Sequence, residues 1–269
     1  MTAATLNPGQ DRPVVVMPTA RILGAYLMEA KFEFVKAMRS AAASIPFLLL
    51  PIPLYLFFGV VLAGASPDMR TNPQLADYLF AGWSAFAVMM PAIFGVGCSL
   101  AVERSAGLHR LKRAQPAPPG AYIIAKLAMS LAFAALAMAE LVIVALLAGK
   151  ITMSGWALAG FSVTMIVGAL PFCAIGLWIG AYFSGSAAPA VANLIFLPML
   201  YLSGLFFPLP GIMSKLVVIW PAFHLNQAAL AAAGVAKFVF LPPTITVGVL
   251  IAVTLFFGGL ALQRLARVG

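Results

Sequence analysis

Few side chains in this sequence could perform chemistry, and they do not form a recognisable catalytic set. The two histidines, His109 and His224, and the two cysteines, Cys98 and Cys173, have neither the spacing of a zinc site nor that of a CxxC pair. The sequence contains no Gly-x-x-x-x-Gly-Lys-Ser/Thr phosphate loop, no His-Glu-x-x-His pair and no Gly-x-Ser-x-Gly turn. We therefore expect no catalytic residue, no metal and no cofactor in this chain.

One carboxylate is expected at membrane depth. Glu140 interrupts a long apolar run about ten residues, or roughly 15 Å, before the run ends. It could bind a cationic substrate, or it could be protonated or hydrogen-bonded to a neighbouring helix. Asn193 is a candidate for hydrogen bonding between helices, and Phe206 and Phe207 could line an apolar pathway or face lipid. These four residues are the candidate substrate pathway, whereas a lone carboxylate disfavours an intramembrane enzyme.

The composition requires a membrane to position these residues. Of the 269 residues 63% are hydrophobic and only 9% are charged, with a mean hydropathy of +1.05. Soluble domains have about 45–50% apolar and about 25% charged residues. This excludes a water-soluble globule, a disordered chain and a disulfide-rich secreted domain, and predicts an all-α, polytopic membrane protein.

Charged and polar residues divide the chain into apolar runs long enough to span a bilayer, which takes about 20 residues. The predicted spans are about 42–64, 78–101, 126–149, 157–183, 190–207 and 242–262. A further run, 216–236, is not counted, because Pro221, His224 and Asn226 would lie near the bilayer centre. We expect this region to form an outer re-entrant hairpin before the last span.

The cations indicate the orientation. With six spans and both termini cytoplasmic, twelve of the sixteen Lys and Arg residues lie inside. The net charge of +9 is then a topology signal and does not predict nucleic-acid binding.

Residues 1–18 are expected to be a flexible cytosolic N-terminus, and 19–269 the transmembrane domain. Residues 19–39 predict an amphipathic interfacial helix that contacts membrane lipid, and the alternative is a cytosolic extension of the first span. The apolar stripe of this helix consists of Leu23, Leu27, Ala30, Phe34 and Met38. Its charged face contains Glu29, Glu33 and Lys36.

The loop between the second and third predicted spans, 103–120, is the most informative segment. It begins with the acid–base pair Glu103-Arg104, continues through Gly107 to a short basic stretch, and ends in prolines. Such a rigid, charged hairpin could transmit movement between two spans. The alternative is a loop whose charges only fix the orientation.

This loop resembles the cytosolic coupling helix of the permeases of type-2 ABC transporters. Residues 196–208 and the region ending at 220–224 are similar to the fifth span and outer hairpin of the same family. The resemblance covers essentially the whole chain, including the N-terminal helix and the six spans. It implies a bacterial inner-membrane exporter subunit that pairs with a second permease copy and with a separate cytosolic ATPase, which would bind ATP and Mg. Carried over to this sequence, the residues facing the ATPase would be Glu103, Arg104, Gly107, Leu108 and Arg110.

The sequence has no substrate motif. The short outer loop, 65–77, and the lack of a large soluble domain favour a small amphipathic, drug-like compound. Export of a lipid-linked glycan or polysaccharide is the alternative within this class. A membrane scaffold or assembly factor without transport activity is the alternative from another class.

Overall fold

The computed structural model describes residues 19–65, 72, 74–108, 111, 118, 120–207 and 213–268, and strands are absent from these residues. The N-terminus predicted at 1–18 lies outside them. The main helices are α1 (Thr19–Arg39), α2 (Ser44–Leu62), α3 (Gln74–Ser105), α4 (Ala121–Leu147), α5 (Gly155–Tyr182), α6 (Ala188–Leu202), α7 (Pro221–Ala232) and α8 (Pro243–Val268).

Five helices in the described part of the chain are long and apolar enough to cross a membrane: α2, α3, α4, α5 and α8, the last as Pro243–Arg267. They overlap five of the six predicted spans, so the chain is a multi-pass membrane protein. The sixth predicted span, 190–207, overlaps α6, an apolar helix of only 15 residues. At 1.5 Å per residue α6 is about 22 Å long, shorter than the apolar core of a bilayer.

Helix α3 occupies the centre of the bundle. Of its most apolar stretch, 72% is buried inside the protein, compared with 17% for α8. Pro91 cannot donate a backbone hydrogen bond, and the helix widens into a π-helical turn over Pro91–Gly95. Helix α2 is likewise π-helical over Tyr55–Leu62, after Pro51 and Pro53. These wider turns lie in the two helices that form much of the cavity described below.

Contacts between helix ends define two ends of the bundle. At one, which we call the Glu103 end, Lys36 of α1 contacts Glu103, and the Ser105 hydroxyl accepts a hydrogen bond from Gly185 N. At the other, the Asp77 end, the Asp77 carboxylate accepts a hydrogen bond from Thr152 N at 2.9 Å. Helix α6 runs from the first end to the second. The segment before it contains Gly185, and the carbonyl of Gly204, just after it, accepts a hydrogen bond from the Tyr78 hydroxyl next to Asp77.

Helix α7 lies against α3, α5 and α8, and residues 222–230 are buried. Two of its polar side chains bond to nearby backbone: His224 Nε2 lies 2.8 Å from Val218 O, and Gln227 bonds to Phe238 O and Phe240 N. The burial of polar side chains was the argument against a span in this region. These hydrogen bonds lower the free-energy cost of that burial.

Glu33 lies off the apolar stripe of α1, but the charged face that contains it packs partly against the protein. Glu33, placed on the charged face, is 3% exposed, while Leu23 and Leu27 of the apolar stripe are about 60% exposed. The reason is Lys126 of α4, which is fully buried and pairs with Glu33. Helix α1 therefore turns its acidic residue toward α4.

Candidate functional site

A cavity of about 860 Å³ extends along α2, α3 and α6. Trp83 and Phe206 line it toward the Asp77 end, and Glu103 lines it at the other end. Because Trp83 and Glu103 are 20 residues apart on α3, the cavity extends about 30 Å along the bundle. This matches the thickness of the apolar core of a bilayer.

Most of the cavity wall is apolar. Phe94 and Phe196 meet edge to face at 5.3 Å, and Phe206 packs on Trp83 at 4.3 Å between ring centroids. Charged side chains line only the Glu103 end, where they come from α1 and α3. Among the described residues, those that line the cavity are Glu33, Lys36, Ala37, Ser40, Pro46, Phe47, Leu50, Leu54, Phe58, Trp83, Phe86, Met90, Phe94, Gly95, Cys98, Ser99, Val102, Glu103, Met129, Asn193, Phe196, Leu197, Leu200, Tyr201 and Phe206.

Two carboxylates and two ammonium groups alternate at the charged end, and we call Glu33, Lys36, Glu103 and Lys126 the ion-pair cluster. Lys36 Nζ lies 2.6 Å from Glu33 Oε2 and 2.5 Å from Glu103 Oε1. Lys126 Nζ lies 2.6 Å from Glu33 Oε1 and 3.1 Å from Glu103 Oε2. The cluster thus joins α1, α3 and α4 with no net charge.

The two lysines have different environments. Lys126 is fully buried, donates to Ser99 Oγ at 3.0 Å and lies 5.0 Å from the centre of the Tyr122 ring. The Lys36 side chain is 51% exposed and faces the cavity. Burial alone lowers the pKa of Lys36, but hydrogen bonds and charge attraction from Glu103 and Glu33 outweigh burial and raise the pKa above 10.5. Lys36 is therefore a charged, half-exposed member of the cluster, and Lys126 is a fully buried one.

Comparison with known proteins identifies the family to which the chain belongs. The ABC-2 type transporter family matches residues 26–238, more than three quarters of the chain. The chain belongs to this family. YvfS of Bacillus subtilis (strain 168), which is named as a transport permease, is 27% identical over 187 residues, covering 68% of this chain and 74% of YvfS. The resemblance inferred from the coupling loop and the outer hairpin is thereby confirmed at the level of the family.

In this ABC-2 permease the first two residues of the predicted coupling segment, 103–111, contact the protein's own helices. Glu103 belongs to the ion-pair cluster and also accepts a hydrogen bond from the Tyr122 hydroxyl. Arg104 donates to Gly180 O at 3.0 Å and to Phe183 O at 2.7 Å, at the end of α5. Residues 103–105 therefore contact α1, α4 and the end of α5.

The rest of the coupling segment is more open. Gly107 has a φ of +75° just after α3 ends, a conformation that glycine adopts without steric cost. Leu108 and Leu111 are 45% and 63% exposed. Arg110 lies outside the described residues. Two exposed leucines next to a glycine-terminated helix form a surface that a partner protein could cover, and contact with an ATPase stays a prediction for all five residues.

The residues of the predicted substrate pathway do not lie together. Asn193 and Phe206 line the cavity. Phe207 is 70% exposed and does not line it, and neither does Glu140. Glu140 Oε2 is buried without a hydrogen-bond partner among the described residues. The carboxylates that do face the cavity are Glu33 and Glu103.

Sequence reasoning missed Glu33, Lys36 and Lys126 as members of one site. The available signal was weak: Glu33 and Lys36 are three residues apart on a helix, and Lys126 stands at the edge of an apolar run. Nothing in that spacing brings α1 against α4. The described residues contain no group of three His, Cys, Asp or Glu close enough to hold a metal ion.

Proposed function

We propose that this chain is the permease subunit of a bacterial ATP-binding-cassette exporter and that the cavity is its half of the substrate pathway. The single observation that carries the proposal is a transmembrane-length cavity whose charged end is built on Glu103, the first residue of the coupling segment. A change in 103–111 would then alter the cavity directly. A separate ATPase subunit supplies the energy, in keeping with the ATP-binding partner normal for this family.

The cavity wall favours a small amphipathic substrate over a glycan. A sugar chain needs many hydrogen-bond partners, because burying its hydroxyls without them costs free energy. Between Ser99 and Trp83 the wall along α3 is apolar, and on α6 it offers only Asn193 and Tyr201 as polar groups. An amphiphile instead buries its apolar body there and leaves its polar group at the Glu103 end.

The contacts between helix ends support six spans, and the excess of Lys and Arg on the side of Glu103 supports an orientation with both termini in the cytoplasm of the inner membrane. Helix α6 runs from the Glu103 end to the Asp77 end despite its 15 residues. Arg264 of α8 lies 5.5 Å from the Tyr182 ring, so the chain ends on the side where α5 ends. In this topology α1 is the interfacial helix, and α7 belongs to the outer re-entrant hairpin.

A second copy of the chain would complete the pathway. The cavity is open on one side, where Asn193 and Tyr201 of α6 are exposed. Closing that side against a second permease in a homodimer would remove the pathway from lipid.

Reconstitution tests the proposal. We expect a tagged chain purified from its native membrane in mild detergent to retain an ABC ATPase, and inverted vesicles containing both to accumulate an amphipathic fluorescent dye when ATP is added. Vanadate should stop the uptake. A stable chain that retains no ATPase and gives no ATP-dependent uptake would favour a scaffold, and ATP-dependent uptake of a lipid-linked glycan alone would favour the glycan exporter.

A further inference from the structure

The charges that face the cavity are unequal in number. Glu33 and Glu103 line the cavity, and so does Lys36, but Lys126 lies behind them and is fully buried. The Glu33 and Glu103 side chains are only 3% and 12% exposed, so a molecule in the cavity first meets the Lys36 ammonium, which covers both carboxylates. The fourth charge, the Lys126 ammonium, pairs with the same two carboxylates from inside the protein and does not face the cavity.

Lys36 is the member of the cluster that can be exchanged. Its side chain is 51% exposed, and the ammonium stands at the end of a flexible four-carbon stem. If the Lys36 side chain rotated into solvent, water would hydrate its ammonium group at little cost in free energy. Glu33 and Glu103 would keep Lys126 at 2.6 Å and 3.1 Å, but one negative charge would remain uncompensated at the cavity wall.

Only one sign of ligand charge fits that exchange. A cation can take the position of Lys36 and leave the cluster neutral. An anion would have to compete with Glu33 and Glu103 for the Lys36 ammonium, which already contacts three carboxylate oxygens. A neutral polar group carries no charge that could replace that of Lys36. If it displaced Lys36, one negative charge would stay uncompensated.

We infer that the cavity binds a lipophilic organic cation, whose charge replaces Lys36 between Glu33 and Glu103. This inference rests on the proposed function and specifies its substrate class. The apolar body of the cation lies along the aromatic wall formed by Phe47, Phe94 and Phe196. Aromatic ring faces attract cations as well as apolar groups, so the same wall favours the charged head during entry. Glu140, the carboxylate expected from the sequence to bind a cation, lies outside the cavity.

Tetraphenylphosphonium and tetraphenylborate test the sign of the charge, because the two ions match in size and shape and differ in charge. The full-length chain in nanodiscs is dialysed to equilibrium against each radiolabelled ion, and binding to empty nanodiscs of the same lipid is subtracted. We expect saturable binding of tetraphenylphosphonium and none of tetraphenylborate. Equal binding of both ions, or saturable binding of neither, would overturn the inference.

Lys36→Met tests the exchange. Removing the competing ammonium leaves an excess carboxylate at the cavity end, and tetraphenylphosphonium should bind roughly tenfold more tightly. Lys31→Met removes the same charge from an exposed position on α1 that does not line the cavity, and should change the dissociation constant less than twofold. Glu103→Gln should weaken binding. Unchanged or weaker binding in a folded Lys36→Met protein would contradict the inference. If Lys36→Met does not fold, the comparison of the two ions on the unaltered chain decides.

The outcome separates this inference from the proposed function. These binding measurements use no ATP and no ATPase. If the cation does not bind but ATP-driven uptake of a neutral amphiphile is observed, the substrate class is wrong and the exporter assignment stands. If the cation binds as expected and no ATPase is retained, the site is correct and the exporter assignment fails.

Discussion

Replacing Lys126 with methionine should be among the most destabilising single substitutions in the chain. The Lys126 ammonium is fully buried and contacts Glu33, Glu103 and Ser99 at 2.6, 3.1 and 3.0 Å. Removing one partner of a buried ion pair costs about 3–5 kcal/mol, because the other charge is left without compensation. Lys36 still contacts both carboxylates in the variant, so we expect a loss near 3 kcal/mol.

Reversible unfolding in mixed micelles of mild detergent and SDS, followed by tryptophan fluorescence, measures this loss. Lys31→Met removes an exposed cation from α1 and should change stability by less than about 0.5 kcal/mol. The double variant Glu33→Gln/Lys126→Met removes one charge of each sign and should lose less than the sum of the two single variants, by about 0.5–3 kcal/mol. A loss below about 1 kcal/mol for Lys126→Met, or strict additivity in the double variant, would refute the reasoning.

Three further predictions use the same unfolding assay. Arg104→Ala should lower the free energy of unfolding by about 1.5–3 kcal/mol, because two backbone carbonyls lose a charged donor. Arg104→Lys should recover only part of that loss. Full stability in Arg104→Ala would show that these bonds do not hold α3 to α5. Gly107→Ala should cost about 1–2 kcal/mol because of its positive φ, whereas Gly24→Ala, in open space within α1, should be neutral or stabilising; equal effects would exclude the backbone explanation. Gly176→Ala should cost about 1–3 kcal/mol, because its Cβ would lie 2.5 Å from Ala92 O, and Gly248→Ala, with nothing within 4 Å, is the matched control that should not.

The positions of the helices could be predicted from the sequence because charges and prolines mark their ends. Five of the predicted spans overlap long apolar helices, and the sixth overlaps α6. Gly176 and Gly180, four residues apart on α5, allow a close helix approach because they carry no side chain. The structure uses it within the chain, where Gly176 and Gly180 pack against Gly97 and Leu100 of α3.

The site could be predicted only in part, because rotation of a helix about its axis is poorly determined when nearly every residue is apolar. Asn193 and Phe206 line the cavity, but Glu140 and Phe207 do not. The pairing of Glu33 with Lys126 joins helices that are 93 residues apart in sequence. The sequence of α1 alone shows an ordinary amphipathic helix, and it carries no signal that Glu33 packs against Lys126.

ATP hydrolysis by the purified complex, titrated with amphiphiles, tests most directly whether the cavity is the substrate pathway. Asn193 and Leu197 of α6 line the cavity, whereas Leu194, also on α6, is 74% exposed and does not. Tryptophan at each of the three positions adds similar bulk to one helix, but only Asn193→Trp and Leu197→Trp place it in the cavity. We expect lipophilic cations to stimulate hydrolysis in the unaltered complex and in Leu194→Trp, matched anions not to do so, and the two cavity variants to show little stimulation. Equal stimulation in all four complexes, at equal ATPase content, would contradict it.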